Sequence, residues 1–212
     1  MKRKNKQIML LLCIGVILTI VTAVIGVRQE QAKKAYGRAQ FDATAADIAY
    51  ITPYKNLYMG NASNIINLFY HLPLGGSSMK FHLFPEKMTV QVTYESTMIQ
   101  AGKANLQNIS EDAKHMTDIS DDDCILEVKK SLIYNATAAF SLIDNLDAIE
   151  YVFSDAKYQV KRADIESIYT DFKDIKNKNN WKTQVQKPLE KNDYINDITN
   201  SIQVSSEMTG KE

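Results

Sequence analysis

The chain is poor in the residues that would announce a chemistry. Two cysteines in 212 residues exclude a disulfide scaffold and any four-cysteine zinc site. Its three histidines, His71, His82 and His115, have no spacing partner of the H-E-x-x-H kind. There is no surplus of either charge, since 25 basic residues balance 25 acidic ones. A dedicated nucleic-acid binder needs a basic surplus to neutralise phosphates. The serine elbow G-x-S-x-G is missing as well. What remains, with 45% hydrophobic and 24% charged residues, is ordinary globular composition, which excludes wholesale disorder and fits one domain with appendages.

The strongest positive signal is at the start. Lys2, Arg3, Lys4 and Lys6 precede an uncharged run from Ile8 to Val27. At about 1.5 Å per residue that run spans roughly 30 Å, one hydrocarbon core. A signal-peptide core has about 7–15 apolar residues, so this longer run reads as a transmembrane anchor. Val24 and Gly26 could precede a cleavage site, so a secretory signal peptide is the alternative. Basic residues flank both ends, with Arg28, Lys33, Lys34 and Arg38 answering the N-terminal four, and only the short amino-terminal tail breaks the tie. The layout expected is a cytoplasmic tail over 1–7, a single span over 8–27 and a domain outside the cell membrane. The lipid partner is engaged through the N-terminal helix alone, because the rest of the chain is mildly acidic and unsuited to lie on anionic lipid.

Residues 28–47 read as a juxtamembrane stalk or helical continuation. Two similar blocks follow. Asn61-Ala62-Ser63 opens a stretch with Ile65, Leu68, Phe69 and Leu72, and Asn135-Ala136-Thr137 opens one with Ala139, Leu142, Ile143 and Leu146. Both place apolar residues on one helix face; the second helix is expected to begin earlier, near Asp122 and Asp123. Each helix precedes a hairpin pattern. Val90, Val92 and Tyr94 alternate with Thr89, Gln91, Thr93 and Glu95, and Tyr158 and Val160 alternate with Lys157, Gln159 and Lys161, so one sheet face is buried. The fold class is therefore α+β: a helix-strand-strand repeat giving a four-stranded antiparallel sheet with helices on one face. A third helix is expected from Asp164 through Ile165, Ile168, Tyr169, Phe172 and Ile175, and a short one around Tyr194, Ile195, Ile198 and Ile202. Residues 96–123 read as a long connection, partly helical at most. The domain is placed at 48–175 and a helical extension with a frayed tail at 176–212.

Several of these segments carry a resemblance. Tyr54-Lys55-Asn56-Leu57-Tyr58-Met59-Gly60-Asn61-Ala62-Ser63, Leu72-Pro73-Leu74, Phe140-Ser141-Leu142-Ile143-Asp144-Asn145-Leu146, the Thr89–Tyr94 strand and the Tyr158–Arg162 strand resemble a bacterial domain-of-unknown-function family, number four-eight-two-five, over about residues 48–175. The phrase around Leu142-Ile143-Asp144-Asn145 is the most specific part. The resemblance implies a Gram-positive envelope setting and supplies no activity. The chain departs from the family pattern at Leu57, where proline is common, and at Asn61-Ala62, where Asp-Asn is common.

The residues offer no catalytic, cofactor or metal constellation. The acids Asp118, Asp121, Asp122 and Asp123 lack the glycine of a calcium loop and suit the positive end of the following helix. Gly75-Gly76-Ser77-Ser78 lies between helix and strand, the wrong order for a phosphate loop. Asp144 and Asp147 could pair as carboxylates, but they sit where a helix ends and the chain turns. Trp181 and the 11 tyrosines are compatible with a binding groove, although most fall on apolar stripes. The expected function is a non-catalytic, membrane-anchored extracytoplasmic binding or accessory module, with no cofactor and an envelope or membrane protein as its partner. The partner surface is assigned to the polar sheet face, Thr89, Gln91, Thr93, Lys157, Gln159 and Lys161. The alternatives are an envelope-acting enzyme with a dispersed site, or a sensory domain signalling through a membrane partner.

Overall fold

The computed structural model describes residues 2–110 and 119–202, with side chains from position 16 onward. His115, Asp118, the tail from 205 and the side chains of positions 8–15 therefore lie outside the described residues. The chain forms two compact units, Met1–Gly37 and Arg38–Glu212.

The first unit is most of one helix, α1 (Lys2–Ala39). From Val16 to Val27 its large apolar side chains are about half exposed. The hydroxyls of Thr19 and Thr22 donate back to the carbonyls of Val16 and Leu18, so they present no unpaired polar group. The run proposed as a transmembrane anchor begins among side chains outside the described set. Among the described residues no helix is long and apolar enough to cross a membrane.

The second unit is a mixed α+β body. The turn α2 (Ile48–Ile51) is capped by Asp47, whose carboxylate accepts from the Ala49 N–H. Helix α3 (Ala62–Tyr70) buries Ile65, Leu68 and Phe69. The hairpin β1 (Met79–Phe84) and β2 (Thr89–Tyr94) turns through Pro85–Lys87 and a left-handed Met88. Helices α4 (Met98–Ile109) and α5 (Asp121–Leu142) then lead to a second hairpin, β3 (Ala148–Val152) and β4 (Lys157–Lys161). After it come α6 (Arg162–Glu166), α7 (Lys178–Asn180), which runs on as a π-helix over Trp181–Gln186, and α8 (Asn192–Ser201).

The sheet order is β1-β2-β3-β4, and here the structure corrects the sequence reading. The sheet is mixed, not antiparallel: β2 and β3 run parallel, between two antiparallel hairpins. Alternation reports which face is buried and is blind to strand direction. Direction is set by the connection, and a crossover of two helices returns the chain to the end from which β2 started. The segment 96–123, expected to be mostly irregular, contributes one of those helices. Thr97 and Gln100 form a reciprocal capping box at the start of α4, and this S/T-x-x-Q signature was readable.

One further expectation fails for a local reason. The apolar stripe from Ile165 to Ile175 does not form one helix. Helix α6 stops at Glu166, and Asp171 accepts from the backbone N–H groups of Lys173 and Asp174, giving the chain a turn in place of a further helical bond. The second helix begins well ahead of Asn135, at Asp121, as its acidic start suggested, and Asn135 lies in its buried middle, where its amide donates to the Pro73 carbonyl at 2.8 Å.

Helix α5 is the centre of the body, buried without a break from Ser131 to Leu142. Leu142, Ile143, Val90, Val92, Ile149, Tyr151 and Val160 share one core with Trp181, Leu189 and Ile195, so the C-terminal extension packs with the body. Gly102 lets α4 approach α5, because a Cβ there would lie 2.1 Å from the Cys124 carbonyl oxygen. Asn105, also on α4, is a buried hub. It accepts from the N–H of Leu74 at 3.0 Å, a residue held at φ 66°, and donates to the Phe41 carbonyl and to Glu127.

The end of α5 is held by Arg162. Its guanidinium donates to the carbonyls of Phe140, Ile143, Asp144 and Leu146, between 2.6 and 3.3 Å. It also pairs with Glu166 and lies over the Phe140 ring. A helix end leaves its last carbonyls without donors and carries negative partial charge, so a half-buried cation suits both needs. Beside it Leu57 bridges to Ile143, and Asn145 accepts from the Met59 N–H at 2.8 Å.

Replacing Arg162 by Met is expected to cost about 3 kcal/mol or more, because several carbonyls lose charged donors at once. Chemical denaturation of the two proteins measures this, and an unchanged midpoint would remove Arg162 from its central role. Glu127 gives a pH test. Burial pushes its carboxyl up, and the Lys130 charge and the Lys130 and Asn105 hydrogen bonds only partly oppose this. An acid with a raised folded-state value favours folding when protonated, and that contribution is lost as pH rises through the folded value. Glu127→Gln should therefore gain in unfolding midpoint relative to the unmodified protein as pH rises from about 4 toward 7. A constant difference across that range would contradict it.

Candidate functional site

The sheet has one face committed to the core and one left open. Its register lays the open face out in rows. His82, Gln91, Glu150 and Gln159 are consecutive neighbours across the four strands, as are Lys80, Thr93, Val152 and Lys157, and Phe84, Thr89, Ala148 and Lys161. All six residues assigned to the partner surface by sequence therefore share this face, although β3 separates the β2 trio from the β4 trio. Gln91, Thr93, Lys157 and Gln159 are half-buried and Lys161 is exposed. Thr89 departs from the expectation. It is 8% exposed and its hydroxyl donates to the Lys87 carbonyl, so it completes the hairpin turn and offers nothing to a partner.

Sequence reasoning missed Glu150, which joins the two trios. Its Oε2 accepts from the Gln91 amide at 2.9 Å and pairs with the Lys157 ammonium at 3.1 Å. Alternation in β3 already marked Glu150 as outward-facing. Its adjacency to Gln91 required the parallel pairing of β2 with β3, which alternation does not encode. Partial burial pushes the Glu150 carboxyl up; the Gln91 and Lys157 hydrogen bonds and the charges of Lys157 and Lys87 together outweigh it, leaving the group below its ordinary value. At the β1 side Lys80 pairs with Glu95, whose carboxyl is lowered by that hydrogen bond, by the Ser78 hydroxyl and by the Lys80 charge. His82 stacks on Phe84, and Lys87 lies over the Phe84 ring. Four lysines (Lys80, Lys87, Lys157, Lys161) thus face two carboxylates, with both carboxylates held by neighbouring lysines.

The other sequence candidates resolve into structural roles. Asp121, Asp122 and Asp123 fill the first turn of α5 behind its Ser120 cap. The Asp144 N–H donates to Leu57 and the Asp147 N–H to Met88, so both aspartates fasten backbone. Cys124 is buried. Among the described residues no three histidine, cysteine or acidic side chains are grouped to hold a metal. A cleft of about 350 Å³ lies between residues 44–48 and the π-helix, lined by Asp47, Lys178, Trp181, Lys182 and Gln186. Lys178 and Asp47 at its edge are paired with each other at 3.1 Å.

The exchange among Gln91, Glu150 and Lys157 has a titration signature. Replacing Lys157 by Met should raise the Glu150 carboxyl toward its ordinary value, read by carboxyl NMR shifts across an acid titration. An unmoved Glu150 would show that this ion pair does not govern the face.

Over residues 51–164 the chain matches a family model described as Domain of unknown function (DUF4825). No curated protein and no solved structure matches it. The matched stretch holds α3, the sheet and α5, and it ends two residues after Arg162; the cleft beside the π-helix is built from residues on either side of it.

Proposed function

Because the chain belongs to the DUF4825 family, a domain described without an activity, we propose from its own residues that it is a membrane-anchored extracytoplasmic binding module. It captures an acidic or polar segment of an envelope or membrane protein on its open sheet face. The observation that carries this reading is the uncovered face itself, where Glu150 is held by Gln91 and Lys157 while Lys161 remains exposed. Both carboxylates that converge there are paired with lysines, and the lysines outnumber them, which suits recognition of an acidic segment better than proton transfer. Anchoring is supported by the Ile8–Val27 run and by the half-exposed apolar side chains from Val16 to Val27. Side chains so apolar and so exposed call for a covering medium, and lipid supplies one.

Two measurements test the reading. Protease added to intact protoplasts should digest the chain beyond residue 28, and full protection would defeat the topology. For the face, Lys161→Glu combined with Lys157→Gln should shift stability by no more than about 0.5 kcal/mol and reduce recovery of the crosslinked partner. Undiminished recovery would clear this face, and a hydrolytic activity in the purified protein would replace the binding role.

A further inference from the structure

A second surface is marked by what it lacks. From Ile48 to Met79 the sequence carries one charged residue, Lys55, in a chain of which 24% is charged. Burial accounts for only part of this. Ile51, Leu57, Met59, Ile65, Leu68, Phe69 and Leu72 fill the core, but the residues facing solvent are uncharged too. On α3 the exposed positions are Ala62, Ser63, Asn64, Asn67 and Tyr70, where a surface helix ordinarily carries charges. Tyr50, Tyr58 and Tyr70 are 36%, 60% and 44% exposed.

The rings are grouped. The His71 ring touches those of both Tyr50 and Tyr54, with centroid separations of 5.3 and 5.4 Å and interplanar angles of 50° and 49°. The His71 Nδ1 lies 2.7 Å from the Asn67 carbonyl. A carbonyl only accepts, so the proton is on Nδ1, and in the neutral ring Nε2 is left as an acceptor. Tyr70 precedes His71 and meets Phe81 edge-on at 5.6 Å, and Asn67 lies one helical turn earlier on the same side of α3. Aromatic faces, phenol hydroxyls, side-chain amides and an imidazole acceptor thus occur together on a surface almost free of charge.

We propose that this surface, with Tyr50, Tyr54 and His71 at its centre and Asn67 and Tyr70 on the adjoining turn of α3, is a binding site for an uncharged glycan. A sugar ring offers an apolar C–H face to an aromatic ring and hydroxyls to amides, phenols and imidazole, the pairing of chemistries found here. Anionic lipid or nucleic acid would require clustered lysine or arginine; residues 48–79 supply Lys55 alone, and Lys178, which reaches the start of α2, is paired with Asp47 there. A protein partner could use the same residue types, and competition with the oligosaccharides in the experiment below separates the two. The proposal does not depend on the sheet face or on the anchor, because it concerns a different surface and is tested in solution.

The experiment uses the full chain in a sugar-free detergent. Saturation-transfer NMR and calorimetry are run with a panel of neutral oligosaccharides that includes a β-1,4-linked N-acetylglucosamine tetramer. Saturable binding that is equal at low and high salt is expected for at least one of them. Tyr50→Ala and Tyr70→Ala should each weaken it about tenfold with the unfolding midpoint held, and Tyr50→Phe should keep most of it. No saturable binding across the panel by the folded protein overturns the proposal. So does binding that survives loss of both rings, or binding that falls steeply with salt. Capture of a protein partner that depends on the same tyrosines and is not displaced by the oligosaccharides would reassign the surface.

Discussion

The Arg162 guanidinium takes up carbonyls that the end of α5 and the turn after it would otherwise leave without donors. Much of the body depends on that contact. Helix α5 is the core's central member, so fixing its end fixes where β3 begins. Arg162 itself follows directly on β4, and its backbone N–H donates to Asp147 just ahead of β3. One residue therefore ties the exit of the central helix to both strands of the second hairpin. The Leu57–Ile143 bridge and the Asn145 contact with Met59 then attach the loop before α3 to the same place. The segments that carry the family resemblance, 54–63 and 140–146, are the ones joined at this point. Asn145 and the backbone of Leu57 there serve the architecture: the Asn145 amide oxygen holds the Met59 N–H, and Leu57 exchanges backbone hydrogen bonds with Leu142 and Asp144.

The buried polar groups on α4 and α5 follow the same logic at a cost. Glu127 is 4% exposed, and Lys130, Asn105 and Ser131 all reach it. Replacing such a network with apolar residues is often neutral, whereas removing one member leaves a buried charge unpaired. Asn105 shows what the arrangement secures. It holds Leu74 in a left-handed conformation that a leucine adopts only under constraint, and it links α4 to Phe41 and to Glu127. Together with the Gly102 contact this sets the register of α4 on α5, the crossover that makes β2 and β3 parallel.

The sequence disclosed those features that depend on one residue and its near neighbours. Alternation of Val90, Val92 and Tyr94 and of Tyr158 and Val160 located two hairpins and their buried faces, and the stripe of Ile65, Leu68 and Phe69 located α3. Features set by distant pairs stayed hidden. The parallel pairing of β2 with β3 depends on how two helices return the chain, and Glu150 became a member of the candidate surface only through that pairing. Asn135 resembled Asn61 in its Asn-Ala-Ser/Thr setting, yet its place is decided by Pro73 far away in the chain. The stripe from Ile165 to Ile175 had helical spacing without a helix because Asp171 offered the backbone a competing local partner, and spacing alone carries no record of that competition.

Charge is distributed over the body in a way that separates two kinds of contact. The open sheet face holds lysines and carboxylates locked in pairs, a pattern whose attraction to a charged segment depends on ionic strength and discriminates by sign. The α2–α3 surface holds rings and amides with almost no charge, and its contacts gain from dispersion and hydrogen bonds that salt does not screen. Both surfaces lie largely within the stretch matched by the family, and both are supported on elements fastened at Arg162 or Asn105. Surfaces of such different chemistry would select different partners, and the elements that carry them are tied together by the Arg162 junction and by the buried network around Asn105 and Glu127.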